Sequence, residues 1–203
     1  MHEIMIGTSA FASADSTLLH EAGIGWIRQN FGYPFVSELG GRVTDEYRMA
    51  KATAQSWRAK GFRVMGVTPL IGIGKQEPDA EGRLRTVWHA GVPSYMGCAG
   101  TEQFLRSYQA LCAFLAEDLR GIVESWQIAN ELDIPIFAGP LNPRQACDVI
   151  LAGARGLKET DPSLIVGTNT AGSAKAYYLY GRLHADAQSP LDYCGVDAYY
   201  GTW

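Results

Sequence analysis

The chain has 203 residues, 47% of them hydrophobic and 19% charged, with a formal net charge of −4. That composition fits one globular domain with a large core, and it argues against a nucleic-acid partner, which would leave a basic footprint. Lys and Arg are scattered, so no polybasic membrane patch stands out, and no apolar run approaches the roughly 20 residues a membrane helix needs.

The first segment, MHEIMIG, reads as a short strand ending in Gly7. The following AFASA imitates a signal-cleavage site, but Glu3, the lack of Lys or Arg before it and the short apolar core argue otherwise. Any export signal is expected upstream, and the compartment stays open, secreted or cytoplasmic. Ser16–Ala22 reads as a helix with Asp15 as N-cap and Gly23 after its end. IGWIRQNF (24–31) is the second strand. A helix follows from about Asp45 to Lys60, capped by Thr44 and stopped by Gly61, with Tyr47, Ala50, Ala54 and Trp57 on its apolar face.

FRVMGVTPL (62–70) is the third strand, ended by Pro69. Ile71 to Gly100 reads as a long irregular stretch holding Trp88, His89 and Tyr95, and loops of that length are usually functional or disordered. Thr101 caps a helix whose stripe is Phe104, Leu105, Tyr108, Leu111, Cys112 and Leu115. The fourth strand is VESWQIAN (123–130). Asn142-Pro143 starts a helix to about Thr160. LIVGTN (164–169) is strand five, Ser173 to about Ala185 a helix, and DYCGVDAYY (192–200) strand six. The four cysteines form no CxxC, and no His pair stands at metal spacing. Cys112, within its stripe, reads as a small buried hydrophobe.

Strand and helix thus alternate six times with the last helix missing, and the strands are apolar without clean alternation, as in a parallel sheet covered on both faces. Two α/β architectures compete, the doubly wound sheet and the (β/α)8 barrel. No GxGxxG follows the first strand and there is no P-loop. Polar residues recur where strands end, at Thr8, Ser9, Arg28, Asn130, Glu131, Asn169, Thr170, Asp197 and Tyr199. That is the face where a (β/α)8 barrel does its chemistry. The expectation is such a barrel, with about six of its eight βα units in one partial catalytic domain, 1–203.

The string WQIANELD (126–133) resembles the fourth-strand signature of clan A glycoside hydrolases, an apolar strand ending in Asn-Glu. The look is of family 5 or family 39. IGWIRQNF resembles that clan's second strand, and DYCGVDAYY its sixth, which commonly ends in His-X-Tyr; here Tyr199 is kept and Asp197 stands in place of the His. The resemblance implies a retaining glycosidase acting on a poly- or oligosaccharide, without a cofactor or metal. It implies Glu131 as general acid/base, with a raised pKa, and Asn130 as donor to the sugar 2-hydroxyl. Arg28 and Tyr199 would hold the nucleophile. Trp88, Tyr95 and Trp203 are candidate stacking platforms, and His89 a hydroxyl partner. The clan's nucleophile, a second Glu at the end of strand seven, is expected beyond residue 203, since barrels of this type need about 250 residues. A six-stranded barrel has open edges, to be covered by the missing quarter or a partner chain.

Plainer roles stand beside these. Glu131 could be a solvated strand end, Arg28 an ion-pair partner, Tyr199 core packing, Asp197 a structural pair and Asp133 a surface acid. Two other functions compete: a non-catalytic carbohydrate-binding barrel, and an unrelated sugar-metabolising barrel enzyme. Scarce His and unclustered acids argue against a metal-dependent version of the latter.

Overall fold

The computed structural model describes residues 6–185 and 188–198. In chain order the elements are β1 (Gly7–Thr8), α1 (Ser16–Glu21), β2 (Trp26–Asn30), α2 (Asp45–Ala59), β3 (Arg63–Val67), β4 (Gly72–Pro78), β5 (Leu84–Ala90), α3 (Glu102–Asp118), β6 (Ser125–Gln127), α4 (Pro135–Ala138), α5 (Pro143–Thr160), β7 (Ile165–Thr170), α6 (Ala174–Leu183) and β8 (Tyr193–Val196). Helices start where the sequence supplies an oxygen for the unpaired N–H groups of a first turn. Asp15, Thr44, Thr101, Asn142 and Ser173 all accept such a bond. At α5 the arrangement is a reciprocal capping box between Asn142 and Gln145, with Pro143 opening the helix.

β1, β2, β3, β6, β7 and β8 form one parallel sheet in that spatial order. Spatial order equals chain order, without the reversal that defines a doubly wound sheet. The architecture is therefore the barrel: six parallel strands curled into part of a (β/α)8 closure. Apolar side chains between sheet and helices form the core, among them Trp57, Phe62, Tyr108, Leu115, Trp126 and Val166. Cys112 is buried with them. Helices α3 and α5 approach closely at Gly156, where a Cβ would overlap the carbonyl oxygen of Gln109. Among the described residues no helix is long and apolar enough to cross a membrane.

Two expectations change. The stretch after β3 is no irregular loop: β4 and β5 pair antiparallel from Gly72↔Ala90 to Pro78↔Leu84. Both faces of this hairpin are largely exposed, so the apolar alternation that marks a half-buried strand is absent. What holds it is its ladder, the Trp88 ring over Gly74, and an acid-centred turn in which Asp79 accepts from Glu81 N and Arg83 N and pairs with Arg85 at 2.6 Å. The base of the hairpin abuts α4, Gly72 facing the backbone of Ile136 and Gly139. The fourth parallel strand is also shorter than VESWQIAN. The ladder stops at Gln127 because Ala129 and Glu131 turn left-handed, with φ of 51° and 42°.

Candidate active site

The C-terminal ends of the parallel strands surround a cleft of about 600 Å³ lined by Ser9, Arg28, Asn30, Leu70, Gln127, Asn130, Glu131, Phe137, Val196, Asp197 and Ala198. The structure thus brings together Glu131, Asn130, Arg28 and Asp197 from four of the residues' separate expectations. Non-glycine residues seldom adopt positive φ, and each such residue costs about 1–3 kcal/mol, which the surroundings must offset. At the tip of β6 they do so with side-chain bonds. Thr68 Oγ1 accepts from Ala129 N at 2.7 Å, Gln127 Nε2 donates to Ala129 O at 2.7 Å, and Asn169 Oδ1 accepts from Glu131 N at 3.0 Å. Thr68 itself is fixed by Tyr108 OH at 2.7 Å. The turn aims Glu131 and Asn130 into the cleft rather than along the sheet.

Asn130 Oδ1 receives three donors: Arg28 Nη2 at 2.7 Å, Asn169 Nδ2 at 3.1 Å and Gln127 Nε2 at 3.2 Å. Because arginine can only donate, this fixes the amide's orientation. What Asn130 has left to offer is its NH2. Arg28 Nε also donates to Gln127 Oε1 at 3.2 Å, so the guanidinium is anchored to the fourth strand. Asn169 uses all its capacity, accepting from Glu131 N and Gln127 and donating to Asn130 and to Asp197 Oδ2 at 2.8 Å. Gln127 escaped the sequence reading, and Asn169 was visible only as one polar strand end among several. The alternation Ser125-x-Gln127, two polar residues on one face of an otherwise apolar strand, was the available signal.

Glu131 is only 7% exposed. Burial, then a hydrogen bond with Asp197 and that residue's charge, then the charge of Asp133, push its carboxyl from 4.5 up to about 7, against the pull of Arg28. In the unfolded chain this carboxyl ionises near its ordinary value, about 4.3. Between that pH and about 7 the folded protein keeps a proton that the unfolded chain has lost. Stability is therefore expected to fall as pH rises through this window and to level off above it. Glu131→Gln should flatten that slope and leave the variant more stable than the parent above pH 7. Thermal unfolding across the window checks this, and an unchanged slope would refute it.

The other expected residues lie elsewhere. Asp133 is no surface acid. It is buried, accepting from Ala171 N at 2.9 Å and Ser173 N at 3.0 Å, and so ties the loop after β6 to the start of α6. Trp88 and His89 are not among the cleft-lining residues. They sit on β5, where Trp88 covers Gly74, its register partner on β4, and His89 Nε2 lies 2.7 Å from Glu77 Oε1. Tyr95 packs against the core and donates to Phe35 O at 3.1 Å. Tyr199 and Trp203 fall outside the described residues.

No family model matches the chain, and no curated relative matches it in sequence. Solved structures do match in shape. A glucosidase from Croceicoccus marinus superposes with a TM-score of 0.60 at 13% identity, over 95% of this chain and 43% of its own. A β-galactosidase from the psychrophilic Marinomonas ef1 gives 0.59 at 13% identity, over 97% and 41%. A psychrophilic family 10 endo-β-1,4-xylanase gives 0.58 at 17% identity, over 87% and 56%. The chain therefore spans about two fifths to just over half of these structures. What it shares with them at this identity is the barrel fold.

Proposed function

We propose that the chain forms six βα units of a glycoside hydrolase barrel that cleaves O-glycosidic bonds of an oligo- or polysaccharide with retention. The observation that carries this reading is a buried carboxyl, pushed up from its ordinary range by burial and neighbouring acids, that a left-handed turn at the mouth of the fourth parallel strand holds facing a cleft. A general acid needs its proton at working pH and access to the leaving oxygen, and Glu131 has both. The shape neighbours support it, since all three are named glycosidases.

In this reading Glu131 protonates the departing oxygen and then takes a proton from water. The NH2 of Asn130 donates to the sugar 2-hydroxyl, an interaction that strengthens in the transition state. Arg28, already fixed by Gln127 and Asn130, presents its remaining N–H groups to the attacking carboxylate. In the clan that the sequence resembles, that carboxylate is a glutamate at the end of a seventh strand. Two further βα units, or a partner chain, cover the sheet's edges at β1 and β8. Without that seventh-strand carboxylate, little or no hydrolysis is expected. Completed with those units, it is expected to hydrolyse a β-glycoside and release first the β-anomer, followed by NMR of the anomeric proton. First release of the α-anomer would overturn retention, and absence of turnover in the completed barrel would overturn the glycosidase reading.

A further inference from the structure

The hairpin β4–β5 begins two residues after Leu70, which lines the cleft, and its base sits on α4, which supplies the cleft residue Phe137. The seating is close. A Cβ on Gly72 would lie 2.7 Å from both Ile136 O and Gly139 N, and one on Gly139 would lie 2.7 Å from His89 O. The Cβ direction of Gly72 therefore points at α4. Side chains alternate along a strand, and register partners share a side. Gly74, Gln76, Thr86 and Trp88 thus lie on the α4 side of the hairpin with Gly72. The charged residues of the ladder, Lys75, Glu77 and Arg85, are all on the opposite side, with His89. One face of the hairpin is charged, and the face that continues the cleft wall past α4 is neutral.

On the neutral face stands Trp88, about 7 Å up the strand from the base pair Gly72–Ala90. The other described tryptophans, Trp26, Trp57 and Trp126, are buried. Trp88 is half-buried, takes no part in the core and rests its ring over Gly74. Among the described residues its indole N–H has no partner. In the next pair on this face, Gln76 Nε2 donates to Thr86 Oγ1 at 2.8 Å. That bond leaves Gln76 Oε1 free to accept and the Thr86 hydroxyl free to donate. A flat apolar plate with a donor and an acceptor at its rim suits a sugar ring. The C–H face of the sugar stacks on the indole, and its hydroxyls, each both donor and acceptor, find both kinds of partner.

We propose that the α4 side of the hairpin is a binding platform for an uncharged glycan chain, with Trp88 stacking on one sugar and Gln76 and Thr86 meeting its hydroxyls. This role rests on the glycosidase reading and names its substrate class: a neutral polysaccharide long enough to run from the cleft, past Phe137 and over α4, to Trp88. A charged polymer finds no counter-charge on this face.

The test is native electrophoresis of the chain in gels that contain hydroxyethylcellulose, arabinoxylan or galactomannan, with polygalacturonate as the charged control. At least one neutral polymer is expected to retard the chain. Trp88→Phe keeps a ring over Gly74 and should keep the retardation. Trp88→Leu keeps an apolar cover over Gly74 without a ring and should weaken binding by about tenfold or more, as loss of an aromatic anchor does. Val87→Ser, on the opposite face, should change nothing. Retardation by none of the neutral polymers, equal binding by the Leu and Phe variants, or a preference for polygalacturonate would overturn the platform. So would a dimer in sedimentation velocity that Trp88→Leu dissolves, since the face would then belong to a second copy of the chain. In the completed barrel, Trp88→Leu should lower kcat/KM on the polymer that binds by about tenfold and leave a small aryl glycoside unaffected. A barrel that cleaves aryl glycosides, with polymer cleavage indifferent to Trp88→Leu, would keep the proposed function and lose the platform. One that binds glycan through Trp88 and cleaves no glycoside would do the reverse.

Discussion

Glu131→Gln in the completed barrel is expected to slow hydrolysis of glycosides with poor leaving groups by about 10²–10⁴-fold, the usual contribution of a positioned acid or base. Glycosides with activated aryl leaving groups should lose far less in the bond-breaking step, because a good leaving group departs without a proton. The substitution is a clean one here. The backbone N–H of residue 131 bonds to Asn169 Oδ1 whatever the side chain, so the left-handed turn keeps its anchor. The amide has nearly the shape of the acid. Rates on a leaving-group series, with single-turnover and steady-state measurements, check the prediction. Equal loss across the series would mean that position 131 holds the substrate or the fold and does not supply the proton.

The second large effect concerns stability and runs against an ordinary rule. Replacing a helical Gly by Ala usually stabilises by up to about 1 kcal/mol, since Ala loses less backbone freedom on folding. At Gly156, inside α5, the added Cβ would overlap Gln109 O and lie 3.0 Å from Gln109 C and 3.1 Å from Ala113 N. These are backbone atoms of α3, so no side chain can swing aside and the two helices must separate. Gly156→Ala is expected to cost about 1–3 kcal/mol or more. For a protein of this size that lowers Tm by about 2–4 °C per kcal/mol. Gly181, exposed on α6 with nothing within 4 Å of its built Cβ, supplies the control. Gly181→Ala should raise Tm slightly. Calorimetry of both variants checks the opposed signs, and a Tm gain at Gly156 would show that the helices do not cross so closely.

By itself the sequence determined the parts of this protein that depend on neighbours along the chain. The helix starts at Asp15, Thr44, Thr101, Asn142 and Ser173 are local bonds over two or three residues. The apolar stripes of α2 and α3 are a 3.6-residue period, and strand–helix alternation implied a parallel sheet, with the spatial strand order deciding for the barrel over the doubly wound sheet. Asn130 and Glu131 were visible because WQIANELD resembles the fourth-strand signature of clan A, an apolar strand ending in Asn-Glu. Tertiary structure decided the rest. The hairpin β4–β5 lacks a buried face, so no period betrayed it. The left-handed turn at Ala129 and Glu131 exists only because Thr68 and Asn169, 61 and 38 residues away, hold it. Asp133 looked like a surface acid until Ala171 and Ser173 folded over it. The meeting of Glu131 and Asp197 in one cleft depends on β6, β7 and β8 lying side by side. Contacts across such separations cost loop-closure entropy and leave no periodic mark in the chain. They form only once the packed core has brought the strand ends together.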